Sequence, residues 1–120
     1  MNNKIVLTVF ISLLLVLVYV ISRPPVIFPN EELGEFAQCL TDKGFVMYGA
    51  DWCPHCQEEK KAFGDSFEKI KYIECPENIQ ACLDVGINGY PTWIAQNGVF
   101  LEGRQGIDRL AQVSGCELPR

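Results

Sequence analysis

The chain opens on an unbroken apolar run. Residues 5–21 read IVLTVFISLLLVLVYVI, with no charge and only Thr8 and Ser12 polar. At ~1.5 Å rise per residue, such a run spans roughly 25 Å as a helix, close to the lower limit for crossing a bilayer. A period of alternating short segments follows. Leu33, Phe36, Ala37 and Leu40 fall at i, i+3, i+4 and i+7 behind Asn30, Glu31 and Glu32. That spacing predicts an amphipathic helix that Gly44 stops. Residues 45–50 (FVMYGA) predict a buried strand. A helix should start at Cys53 and Pro54, with proline in the tolerated first turn, and run to about Phe67. Residues 71–75 (KYIEC) predict a second strand and residues 76–85 a third helix. Two strands, 92–96 and 99–102, flank Asn97-Gly98, a strong hairpin signal. A last helix over residues 108–114 ends at Gly115. Strands separated by helices imply a parallel pair, and the hairpin adds an antiparallel edge.

This pattern divides the chain into an N-terminal membrane anchor or uncleaved signal (1–22), a proline-rich spacer (23–30) and an α/β domain (31–120). The apolar run is longer than the usual ~7–15 residue signal core, and no A-x-A site follows it, which favours a retained anchor. Lys4 before the run, and Glu31, Glu32 and Glu35 soon after it, lean toward a single-pass topology with the domain on the extracytoplasmic side. In the spacer, RPPVIFP, three prolines disfavour helix.

Charge and cysteine content narrow the chemistry. Ten basic and 15 acidic residues leave a net charge of −5, which speaks against nucleic acid as a partner. The lone His55 excludes a multi-histidine metal site. Six cysteines in an exported domain read as disulfides or redox chemistry. Cys53-Pro54-His55-Cys56 stands where a strand turns into a helix. There the unpaired amides and the positive helix end favour thiolate over thiol. Thiols in such C-x-x-C settings titrate at roughly 3.5–7 rather than ~8.5. Cys53 is then the attacking sulfur, Cys56 the shielded resolving one, and His55 a neighbouring source of positive charge. A zinc site completed by Cys75 and Cys82, or a purely structural C-x-x-C disulfide, are the competing readings. No metal and no cofactor beyond the Cys53–Cys56 pair itself are expected.

The strand FVMYGA, then DWCPHC, and later Gly89-Tyr90-Pro91-Thr92 resemble the thioredoxin superfamily. The resemblance implies a thioredoxin-like three-layer sandwich, a mixed sheet with helices on both faces, over about residues 31–117. It also implies a cis proline at Pro91 facing the active cysteines, with Trp52 and Tyr90 lining a substrate groove. Trp93, on a strand, is expected in the core. The FAQ-x-L segment, MYGA-x-WCPHCQ, the YIEC strand end with a further cysteine downstream, and YPTW look like the thioredoxin-like domain fused to bacterial vitamin K epoxide reductase homologues. That implies protein thiol or disulfide substrates and electron transfer to a quinone-reducing membrane partner. The C-P-H-C tetrad also resembles DsbA-type oxidases, which favours oxidation of exported thiols. A tethered reductant of the cytochrome-maturation type and a non-enzymatic, disulfide-stapled binding module are the alternatives. Ordinary thioredoxins often carry a buried Asp six positions before the first active cysteine, and here that position is Met47. Glu59, one turn after Cys56, is a substitute only if it is buried, and an exposed helix carboxylate is the expectation.

Four cysteines are left over, and they allow three connectivities. Cys75 and Cys82 close a short loop, which needs the intervening helix to start late or bend, because the Cα atoms must approach within ~7 Å. A structural disulfide is expected there, with a relay pair as the alternative. Cys39 and Cys116 could pair by elimination. In a thioredoxin-like layout, however, the first and last helices lie on opposite faces, which counts against that pair.

Overall fold

The computed structural model describes residues 2–22 and 30–120. The proline-rich spacer lies outside the described residues except for Asn30. Helix α1 (Asn3–Ile21) is exposed along its whole length. It is long and apolar enough to cross a membrane, a property that signal sequences share.

The elements of the α/β domain follow the expected order. Helix α2 (Asn30–Asp42) buries Leu33, Phe36, Ala37 and Leu40, the stripe that the spacing placed on one face, and Glu31 and Glu32 sit in its first turn. Strand β1 (Val46–Gly49) is buried on both faces, as a central strand must be. Helix α3 (Pro54–Phe63) is shorter than expected. Gly64, at φ 52°, ends it, and the chain tightens into a 3-10 segment (Gly64–Lys69). Strand β2 (Lys71–Glu74) follows. Helix α4 (Ile79–Asp84) starts three residues later than the sequence pattern suggests, because residues 74–78 are spent on turns. Strands β3 (Thr92–Ile94) and β4 (Phe100–Glu102) form the hairpin, and α5 (Gly106–Ser114) closes the domain with Gly115 in the left-handed region at φ 68°.

The sheet order is β2-β1-β3-β4. Strand β1 pairs in parallel with β2 (Val46 with Lys71 through Gly49 with Glu74) and antiparallel with β3 (Met47 with Trp93). Side chains alternate across β1. Met47 enters a core built by α2, α3, α5 and Trp93, whereas Tyr48 enters a smaller one with Cys75, Cys82 and Ile87. Helices therefore cover both faces, three on one and the short α4 on the other.

That arrangement corrects the objection to a Cys39–Cys116 pair. Helices α2 and α5 share one core on one face of the sheet, and the two sulfurs are bonded at 2.07 Å. Lys43 Nζ donates to the Ser114 carbonyl at 2.6 Å, closing the C-terminal end of α5 against the same helix. Cys75 and Cys82 are bonded at 2.06 Å, with their Cα atoms 5.8 Å apart. The late start of α4 is what brings them within reach. With these two bonded to each other, a zinc site shared with Cys53 and Cys56 loses half its ligands.

Candidate active site

Cys53 and Cys56 are free thiols, and both are buried. Cys53 is the N-cap of α3, in extended conformation (φ −78°, ψ 119°), with Pro54 opening the helix. The amides of the first turn therefore gather beside its sulfur without intrahelical partners. Cys53 Sγ donates to the carbonyl of Tyr90 at 3.7 Å, and the Tyr90–Pro91 bond is cis. The Trp52 ring is exposed and meets the half-buried Tyr90 ring edge-on at 6.0 Å. Trp52, Cys53, Tyr90 and Pro91 thus form one patch at the end of the sheet. His55 stands apart from that patch. It is exposed, with Nδ1 3.5 Å from Glu58 Oε2, and the same carboxylate oxygen accepts from Arg104 at 3.2 Å.

Cys56 lies one turn inside α3 and is 0% exposed. Burial pushes its thiol up to about 12; the nearby Cys53 adds to the rise, and a backbone hydrogen bond with Ala50 opposes it. Its sulfur sits over Gly49. A Cβ at that position would stand 2.9 Å from Cys56 Sγ, 3.2 Å from Tyr72 Cε2 and 3.3 Å from the Tyr72 hydroxyl. The absence of a side chain at residue 49 is what lets sulfur and phenol share this space.

The sequence did not single out the polar groups beside Cys56. The Tyr72 hydroxyl donates to Glu74 Oε2, and Glu74 Oε1 accepts the Asp51 N–H at 3.0 Å. Burial, and then the hydrogen bond to Glu74, push the Tyr72 phenol upward. Lys60 Nζ lies 4.0 Å above the Tyr72 ring and 2.7 Å from Asp51 Oδ1. By that hydrogen bond first, and then by its charge, Lys60 holds the Asp51 carboxyl below its ordinary range. The available signal was the strand period. Tyr72 and Glu74 are two apart in K-Y-I-E, and the register sets them beside Met47 and Gly49.

Two other expectations concern the core. Met47 is fully buried, so no carboxylate occupies its place. Glu59 is not an exposed helix carboxylate. It is 0% exposed and accepts from Trp93 Nε1 at 2.9 Å, the Gln105 amide at 3.1 Å and the Gly106 amide at 3.1 Å. It caps α5 from inside the core while it takes the Trp93 indole of β3. Trp93 is fully buried, as its place on a strand predicted.

A four-stranded mixed sheet, a helix that opens directly after the first of two buried thiols and carries the second one turn in, and a cis Tyr90–Pro91 bond beside the first thiol define a thioredoxin-like domain. No protein-family model matches the chain. It is 38% identical over 91 residues to "Thiol-disulfide oxidoreductase LTO1" of Arabidopsis thaliana, which covers 68% of this chain and 24% of that protein. It is 34% identical over 77 residues to "Thioredoxin domain-containing protein 5 homolog" of Drosophila melanogaster, covering 53% and 18% respectively. The chain thus spans a quarter or less of the curated relatives it matches. Fold and similarity together are those of the thioredoxin-like superfamily.

Proposed function

We propose that this chain is a membrane-tethered thiol–disulfide oxidoreductase. The observation that carries this reading is the pair of free, buried thiols at the start of α3, with Cys53 against the Tyr90 carbonyl. Cys53 attacks or is attacked, because its sulfur borders the surface patch. Cys56 resolves the mixed disulfide from one turn below. Pro91 and Tyr90 present backbone to an extended substrate, and the exposed Trp52 offers it apolar contact. His55, exposed beside Glu58 and next in the chain to Cys56, is the side chain we assign to tuning the pair. Helix α1 supports the tether, with the domain on the extracytoplasmic side.

The direction we favour is oxidation of exported protein thiols. The electrons then pass to a quinone-reducing membrane protein of the vitamin K epoxide reductase type, the kind of partner that the motifs of the sequence resemble. The similarity to a named thiol-disulfide oxidoreductase supports the chemistry. Two disulfides elsewhere in the domain suit an oxidising compartment.

The test is the equilibrium of the Cys53–Cys56 pair with glutathione buffers. A potential of about −120 to −200 mV is expected, and one near about −270 mV would reverse the direction to a reductant. A pair that does not exchange at all would remove the enzymatic reading and leave a disulfide-stapled binding module. Alkaline extraction of membranes tests the tether, with retention of the intact chain in the pellet expected.

A further inference from the structure

Resting on the oxidoreductase reading above, one question of chemistry is open. Cys56 has to lose a proton before it can attack, and it is shut off from solvent (0% exposed). Met47, in the same core, has no group that can take a proton. The Glu59 carboxylate is engaged by Trp93, Gln105 and Gly106. The charged or titratable groups that bear on Cys56 are Cys53 and Lys60 of α3, with Tyr72 and Glu74 of β2 and Asp51 of the intervening turn linked to them. Of these, Tyr72 shares the space over Gly49 with the sulfur, and its hydroxyl is already bonded to Glu74.

The geometry points to Tyr72 and Glu74 as the proton relay of Cys56. As the Cys56 thiol gives its proton to the Tyr72 oxygen, Tyr72 passes its own proton to Glu74. The Cys56 thiolate then attacks Cys53 in the mixed disulfide. The Cys53–Cys56 bond forms, the bond from Cys53 to the substrate sulfur breaks, and the electron pair leaves on that sulfur, which takes a proton from solvent. Glu74 is half-buried and returns its proton to solvent. Run backward, the relay protonates Cys56 as it leaves under attack by a substrate thiolate. Lys60, over the Tyr72 ring and paired with Asp51, supplies the positive charge that steadies the transient anion.

The experiment mixes the reduced full chain, in detergent micelles, with excess oxidised glutathione in a stopped-flow instrument. Attack by Cys53 gives a phase that scales with glutathione concentration, and resolution by Cys56 gives one that does not. Tyr72→Phe and Glu74→Gln are the variants. The glutamine matches the glutamate in size and keeps one of its two acceptor oxygens but accepts no proton, so together with Tyr72→Phe, which removes the hydroxyl and keeps the ring, it separates proton transfer from packing. Near neutral pH, both variants should slow the resolving phase about tenfold or more and leave the attacking phase within about twofold. The wild-type resolving phase should be nearly flat between about pH 6 and 8. In the variants it should climb about tenfold per pH unit, as the thiolate fraction does when only solvent base takes the proton. Flat, unslowed resolving phases in both variants, or equal slowing of both phases, overturn the relay. A wild-type chain that forms no mixed disulfide at Cys53 overturns the oxidoreductase reading, and the relay with it.

Discussion

The indole of Trp93 donates to the carboxylate of Glu59 at 2.9 Å, and both side chains are fully buried. The same carboxylate takes the first amides of α5, so a charge three residues beyond Cys56 holds the start of the last helix. Glu59→Ala should leave these donors unpaired and cost about 3 kcal/mol or more. Glu59→Gln, with one acceptor oxygen, should lose less. Urea unfolding at unchanged slope measures both. A loss under about 1 kcal/mol for the alanine variant would mean that water replaces the carboxylate.

Gly49→Ala places a methyl group 2.9 Å from Cys56 Sγ and 3.2 Å from the Tyr72 ring. Overpacking of this kind costs about 1–3 kcal/mol. The sulfur or the ring must move, so closure of the Cys53–Cys56 disulfide should slow along with the fall in melting temperature. A variant as stable and as fast as the wild type would show that the space over Gly49 is not shared.

The two disulfides should not be equal. Cys39–Cys116 closes a separation of 77 residues and Cys75–Cys82 one of 7. The chain-entropy model assigns about 4.5 kcal/mol to the first and about 2.5 kcal/mol to the second. Removing each pair by double serine substitution, followed by chemical denaturation, should give that order. The reverse order would mean that packing around Cys75 and Cys82, rather than loop closure, sets the ranking.

Alkaline pH should unsettle the dithiol form. The Cys56 thiol is raised from 9.0 to about 12 in the folded state. Below pH ~9 both folded and unfolded chains keep this proton, and the contribution is fully present. Between ~9 and ~12 only the unfolded chain gives it up, so stability falls as pH rises. The Cys53–Cys56 disulfide form has no such proton and should lack this part of the decline. Equal pH slopes for the two forms over that range would refute the burial effect.

Much of the fold could be read from short-range pattern. The stripe Leu33, Phe36, Ala37, Leu40 is buried as spaced, and FVMYGA is the central strand. What local pattern could not supply were effects set by distant parts of the chain. Glu59 lies on the same helical face as Cys56 and Phe63, and all three are buried. A carboxylate on that stripe read as solvent-facing because its donors, Trp93, Gln105 and Gly106, are 34 to 47 positions away. The Tyr72–Glu74 pair needed the β1–β2 register before it could be set beside Cys56. For Cys39 and Cys116, a layout assumed from resemblance placed α5 on the wrong face.

The links between helices on the thiol side of the sheet run in a circle. Glu59 ties α3 to α5, and Cys116–Cys39 ties α5 to α2. Thr41 of α2 donates to the Lys69 carbonyl at 2.7 Å, which returns to the segment continuing α3. A closed circuit of this kind has no free end at which to hinge. Two electrons can enter or leave the sulfurs while the surrounding scaffold stays still. On the proposed oxidoreductase reading, the domain works as a rigid electrode, with access and proton supply rather than refolding setting its exchange rate.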